Sequence, residues 1–213
     1  MRLRELVMLT VALLIVGCGS QNEVDEFNKP AAYWYQKTVD AIGSGNLDKA
    51  DEYYISLKSE HVHSPFVPTA TLMLAQAHMH DEEYLLANFY LDEYLKRYAD
   101  EKHYEYIEFM KLKAAFLGIT DVYKDQKLIL DTLAKAQTFR ERYPGSRYLP
   151  LVNHLAIRLH MAQYLLNDNI AALYDRIGKP EAAKLYRAKN AGSLVKKADI
   201  KPPKQGIIGH IID

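Results

Sequence analysis

The chain has 213 residues, 49% of them apolar, enough to bury one sizeable core or an extended repeat core, which excludes a disordered polymer. Its 27 basic and 27 acidic residues cancel, which removes the electrostatic footprint of a nucleic-acid-binding protein. Cys18 is the single cysteine, so no intramolecular disulfide framework exists.

The N-terminus reads as an address. Arg2 and Arg4 form a short positive region, and residues 6–16 are apolar except for Thr10, too short a run for an ordinary transmembrane helix. The run ends in Ile15-Val16-Gly17-Cys18, which resembles a bacterial lipobox with Cys18 as the acylated residue. Residues 1–17 are therefore expected to be a signal peptide. Each acyl methylene buried in a bilayer contributes about 0.8 kcal/mol, so a multiply acylated Cys18 holds a chain on a membrane without any spanning helix. Gly19 follows the cysteine and, by resemblance to sorted lipoproteins of two-membrane bacteria, favours the outer membrane. Residues 18–30 are polar and lack helical periodicity, as in a flexible tether.

From residue 31 the periodicity is helical. Residues 31–42 form the first expected helix, Gly43-Ser44-Gly45 breaks it, and Asn46 caps a second that runs to about Ser59. Leu47, Ala50, Tyr54 and Leu57 lie on one side of that second helix. The same three-four-three spacing returns at Tyr84, Ala87, Leu91, Tyr94 and again at Ile129, Thr132, Ala136, Phe139. A small residue at the second position of each stripe admits a neighbouring helix. One hairpin cannot bury such a stripe alone, so the pattern predicts an all-α, tetratricopeptide-like repeat solenoid of antiparallel helix pairs over residues 31–190.

Pro65 and Pro68 are expected to bend the connector to the second pair, whose helices are placed at 69–80 and 84–98 with Asp81, Glu82 and Glu83 around the second start. The third pair is placed at 103–118 and 126–142; its first helix reads as exposed on more than one side, and the turn at 119–125 is long. Tyr143-Pro144-Gly145-Ser146 then leads into a helix over 147–166. Asn167-Asp168-Asn169 is read as a break before a short helix over 170–177, and Pro180 opens the last one. Residues 191–213 form a basic tail, with Lys196, Lys197, Lys201 and Lys204 around Pro202-Pro203.

Catalysis has no visible carrier. His61-x-His63 sits in a loop without a carboxylate cluster, and His78-x-His80 on a helix points its two rings to different sides, so neither pair makes a metal site. No zinc-protease, nucleophile-elbow or phosphate-loop motif occurs, and no cofactor is expected.

The lipobox, the short tether and the repeat Ala50-x-x-x-Tyr54 are followed by Pro65-Phe66-x-Pro68, the run from Tyr104 to Lys111, Tyr143-Pro144-x-Ser146-x-Tyr148, and the segment from Ala171 to Gly178. In this order the chain resembles the BamD (ComL, YfiO) lipoproteins of the outer-membrane β-barrel assembly (BAM) machinery. The resemblance implies a non-enzymatic scaffold on the periplasmic face of the outer membrane. Its N-terminal repeats would hold unfolded outer-membrane proteins, and its C-terminal repeats the POTRA domains of BamA among other BAM subunits. The chain departs from the family pattern in its shorter turn at 119–125 and in lacking most of a fifth repeat after Arg187. Repeat positions relative to Trp34 and Ala75 nominate Tyr35, Val39, Leu72, Gln76 and Met79 as groove residues, with ordinary packing between repeats as the alternative role for each. Arg187 is nominated for a charged contact to a POTRA domain. The alternative function is an adaptor lipoprotein for cell-wall or division enzymes.

Overall fold

The computed structural model describes residues 26–197 and residue 200; Cys18, the expected signal peptide, most of the tether and most of the basic tail lie outside the described residues. The chain divides into two units, Met1–Pro30 and Ala31–Asp213, and everything below concerns the second. Its described regular structure is entirely helical, in the order α1 (Ala31–Gly43), α2 (Leu47–Glu60), α3 (Phe66–His80), α4 (Tyr84–Arg97), α5 (Glu101–Leu117), α6 (Gln126–Arg142), α7 (Leu149–Arg176) and α8 (Pro180–Ala191). Neighbours pack as hairpins, α1 on α2, α3 on α4, α5 on α6 and α7 on α8, and each hairpin packs on the next. This is the tetratricopeptide-like solenoid of antiparallel pairs that the periodicity predicts.

The three repeated stripes carry the stacking. Ala50, Tyr54, Leu57, Ala87, Leu91, Tyr94, Ile129, Thr132, Ala136 and Phe139 are all buried, and only Leu47 and Tyr84, at the stripe ends, keep partial exposure. Three threonines lie wholly inside, and each donates its hydroxyl to the carbonyl one turn back: Thr38 to Trp34 at 2.9 Å, Thr71 to Val67 at 2.8 Å and Thr132 to Leu128 at 2.6 Å. That local bond satisfies the one polar group each would otherwise strand in the core. Thr71 then accepts from the Tyr54 phenol, the two oxygens 2.8 Å apart, which ties α2 to α3. Trp34, 2% exposed, donates its indole N–H to Glu60 at 2.8 Å and closes the first hairpin from the open end. Asn46 caps α2 as expected, accepting from the Lys49 amide at 3.2 Å, and Gly45 takes a left-handed φ of 75° in the turn before it.

Four expectations need correction. First, α3 begins at Phe66 rather than Thr69. Pro68 falls in the first turn, where its missing N–H has no intrahelical acceptor to lose, so proline is tolerated. Second, Glu82 and Glu83 precede α4 instead of opening it: Glu82 has φ 63°, and the Glu83 carboxylate turns back onto His78. Third, α5 is buried on several sides, with Ile107, Phe109, Met110, Leu112, Ala114 and Ala115 all inside, because α4, α6 and α7 surround it.

Fourth, no break occurs at 167–169; α7 is one helix of 28 residues. The asparagine read as a helix breaker is 6% exposed, and its amide goes to a partner in another helix. Asn167 donates to the Asn190 side-chain oxygen at 2.9 Å, and Asn190 donates to the Tyr164 carbonyl at 3.0 Å. Asp168 is drawn outward by Lys197 at 2.7 Å. With their polar groups satisfied by tertiary contacts, these side chains do not compete for the backbone of their own helix.

Asn167→Ala is expected to keep α7 intact, since alanine favours helix, but to leave Asn190 short of a partner at a cost of about 1–2 kcal/mol. Urea denaturation followed by circular dichroism reads the loss, and amide exchange should accelerate in α8 before α1 to α4. A drop in native helix content instead would place the asparagine in holding α7 together.

Candidate functional site

The first helices of the hairpins, α1, α3, α5 and the start of α7, share one side of the array and dress it with rings. Tyr35 on α1 stacks on Phe66 of α3, centroids 4.8 Å apart and planes at 19°, and its phenol donates to the Met73 sulfur at 3.6 Å. Gln76, exposed on α3, donates to the Tyr106 phenol of α5 at 3.1 Å. Phe109 stacks on Tyr148 at 4.7 Å and 8°, with Tyr106 also against Tyr148 at 6.1 Å. Between α3 and α5 lies a cleft of about 310 Å³ lined by Pro68, Thr69, Leu72, Met73, Gln76, Tyr94 and His103.

Chemically this side offers ring faces, a thioether and a few polar tips, with no nucleophile beside a base. Its partly buried rings can accept apolar side chains, while Gln76 and the tyrosine hydroxyls can exchange hydrogen bonds with a peptide backbone. Partly buried rings already held by stacking have little side-chain entropy left to lose on contact with another chain.

Of the residues nominated from sequence, Tyr35, Leu72 and Gln76 come together here. Val39 lies one turn along α1 from Tyr35 and is half-buried. Met79, one turn beyond Gln76 on α3, is 8% exposed and packed into the core. Arg187 sits apart on α8, paired through both guanidinium nitrogens with Asp175 of α7. Phe66, Met73, Tyr106, Phe109 and Tyr148 were not among the nominees. Phe66 lies in Pro65-Phe66-x-Pro68, where two prolines suggest a bent connector, yet it opens α3 and faces Tyr35.

Behind the groove lies a polar interlock. His78, 1% exposed, meets Glu83 through Nδ1 at 2.6 Å and Asp51 through Nε2 at 3.0 Å, and its ring stacks on Tyr90 at 5.4 Å and 9°. Tyr90 donates to the same Asp51 oxygen at 2.6 Å. Three helices, α2, α3 and α4, are thereby joined at one imidazole. Burial by itself lowers the His78 pKa, but hydrogen bonds to Asp51 and Glu83, with the charges of both, outweigh it and hold the pKa above its ordinary value. Burial pushes the Tyr54 phenol up, and burial with Asp51 does the same for Tyr90, so both stay protonated donors. With both ring nitrogens facing carboxylates on opposite sides, His78 is a structural clamp. Among the described residues no group of three histidine, cysteine or acidic side chains is placed to hold a metal ion.

No described helix is long and apolar enough to cross a membrane. The profile of the YfiO family, whose description is outer membrane lipoprotein, matches residues 27–190, all but the last residue of the helical array. The chain belongs to the YfiO family. Among its relatives is the outer membrane protein assembly factor BamD of Helicobacter pylori, 41% identical over 92% of this chain and 90% of that protein. Another is the outer membrane protein assembly factor BamD of Caulobacter vibrioides, 24% identical over 79% of this chain, a match that takes in 54% of that longer protein. The YfiO match contains the whole ring-lined side, the His78 interlock and Arg187, whereas Cys18 precedes it.

The His78 clamp has a pH signature. An unfolded imidazole titrates near pH 6.5. With the folded-state value raised, the clamp's stabilisation is fully present below about pH 6.5 and is lost as pH rises through the folded value. Thermal unfolding measured from about pH 6 to pH 9 should therefore show the native chain losing more stability with rising pH than His78→Gln does. Parallel profiles for the two proteins would remove His78 as the cause.

Proposed function

We propose that this chain is a lipid-anchored scaffold of outer-membrane protein assembly, acting by binding and not by catalysis. The observation that carries this is the 41% identity, over nearly the full length of both chains, to a protein named as an outer membrane protein assembly factor. The family description as outer membrane lipoproteins agrees with Cys18 as the acylated residue at the end of a signal peptide over residues 1–17. Residues 18–30 then act as the tether that holds the helical array on the periplasmic face of the outer membrane.

In this reading the ring-lined side is where unfolded outer-membrane proteins are held, with Tyr35, Val39, Leu72 and Gln76 in contact and Phe66, Met73 and Tyr106 joining them. Strands of a membrane barrel alternate apolar and polar residues, so an unfolded segment presents an apolar row on one side and leaves backbone groups unpaired. Aromatic faces interleaved with Gln76 and tyrosine hydroxyls meet both needs. Met79 is left out of the contact set, because a core methionine supports the groove from behind.

The last hairpin is assigned to the machinery itself, to a POTRA domain of BamA and to other BAM subunits. Arg187 is exposed and bound to Asp175, an ion pair at the surface. Surface pairs contribute little, so exchanging Asp175 for a partner's carboxylate costs little and gains an intermolecular bond.

Three measurements test the proposal. Tagged full chain solubilised in mild detergent should recover BamA, and Cys18→Ala should move the protein from the membrane to the soluble fraction; recovery of peptidoglycan hydrolases or synthases in place of BamA would assign the adaptor role. For the groove, Leu72→Asp with Gln76→Ala should weaken crosslinking to an unfolded barrel protein about tenfold, as loss of a central contact does. The double variant should leave recovery of BamA unchanged, and equal loss of both would mean that the array had been disturbed as a whole.

A further inference from the structure

A second groove lies between the two helices of the third hairpin. The first two hairpins turn through three residues each, 44–46 and 81–83, whereas α5 and α6 are joined by residues 118–125. The longer connection lets the pair splay. A groove of about 210 Å³ opens between them, floored by Leu112 and Phe139 and closed at one end by Tyr143, whose ring tilts against Phe139 at 4.9 Å.

Its rim is basic. Lys111 of α5 faces Lys135 and Arg142 of α6, with Glu108 as the lone acid. Lys111 is already held by Asp92 at 2.7 Å and lies 3.8 Å from Glu108. Lys135 and Arg142 have no acidic partner among the described residues, and Thr138 between them carries a hydroxyl with no partner there either. Two unpaired cations beside an apolar floor form a surface whose complement is anionic at two points and apolar between them.

Lys135 and Arg142 stand two turns apart on one face of α6, about 10 Å by the rise of an α-helix. A single phosphate headgroup reaches one of them. In an extended peptide alternate residues share one face, so acidic residues four apart, about 13 Å, reach both cations through their flexible side chains while the residue midway between them faces Leu112 and Phe139. We propose that this groove docks an acidic peptide segment of a partner protein, its carboxylates on Lys135 and Arg142 and an apolar side chain on the floor. The site is separate from the ring-lined side: it belongs to the interior of one hairpin and selects by charge, whereas the other selects by apolar contact.

The test uses the full chain in dodecyl maltoside and a fluorescein-labelled peptide with a glutamate two residues to either side of a phenylalanine. Anisotropy should show this peptide binding more tightly than the same peptide with glutamines in place of the glutamates, and binding should weaken as salt rises. Lys135→Ala with Arg142→Ala should reduce affinity about fivefold, in keeping with two exposed pairs, while circular dichroism stays native. Thr138→Trp, which fills the groove and keeps both charges, should reduce it as well. Equal affinity for the two peptides, or no effect of either variant, would overturn the proposal. Binding of phosphatidylglycerol-doped micelles without binding of the peptide would overturn it too, by assigning the cations to lipid.

Discussion

The constraint on which the rest of the structure depends is the close approach permitted at Ala50, Ala87 and Ala136. Each is at most 1% exposed and each lies on the second helix of its hairpin. A methyl group there leaves room for the next large residue of the same stripe, Tyr54 and Leu91 four places later and Phe139 three places later, to fill the space beside it. Every hairpin therefore offers a stripe that only another hairpin can cover, and burial is shared between repeats instead of concentrated in one centre. Enlarging any of these alanines would force side chains off their rotamers at about 1–3 kcal/mol, and the strain would fall on an interface, not on a single helix.

Polar bonds then set the register of what the alanines bring together. Tyr54 to Thr71, His78 between Asp51 and Glu83, and Asn167 to Asn190 each join different helices at a buried or half-buried point. Apolar stripes tolerate sliding, because a methyl group packs nearly as well one contact over. A hydrogen bond to a buried partner does not slide, since the displaced donor would be left unpaired at about 1–3 kcal/mol. The ring stacks along the first helices, Tyr35 on Phe66 and Phe109 on Tyr148, inherit their positions from this registration.

Legibility followed the range of the interaction. The stripes were readable because they are periodic, and the ends of α1, α2, α4 and α6 because local signals such as Asn46, Gly45 and Pro144 act within one turn. Where a distant partner decided the outcome, local signals misled. Asn167 and Asp168 look like a helix break until Asn190 and Lys197 are placed beside them. Glu83 looks like a first-turn acid until His78 appears across the turn. Of the groove, Tyr35, Leu72 and Gln76 could be nominated from repeat position alone, whereas Tyr106 and Tyr148 acquire their place only when α5 and α7 pack, and the depth to which Met79 is covered depends on that same packing.

The unbroken α7 changes how the two ends of the array communicate. Its first half buries Val152, Ala156 and Leu159 toward the third hairpin, Leu166 continues that side in a cluster with Leu159 and Ile129 of α6, and Asn167 turns to Asn190 of α8. Had the helix broken at Asn167, the last pair could have pivoted about the break. As a single rod of 28 residues, about 42 Å at the rise of an α-helix, it fixes α8 relative to Tyr148 and the rings that Tyr148 stacks on. A partner held at α8 is then held at a set distance from whatever lies along the first helices. In the proposed scaffold role that geometry would be the working part, because passing a client from one protein to another requires that the two be presented in a constant relation.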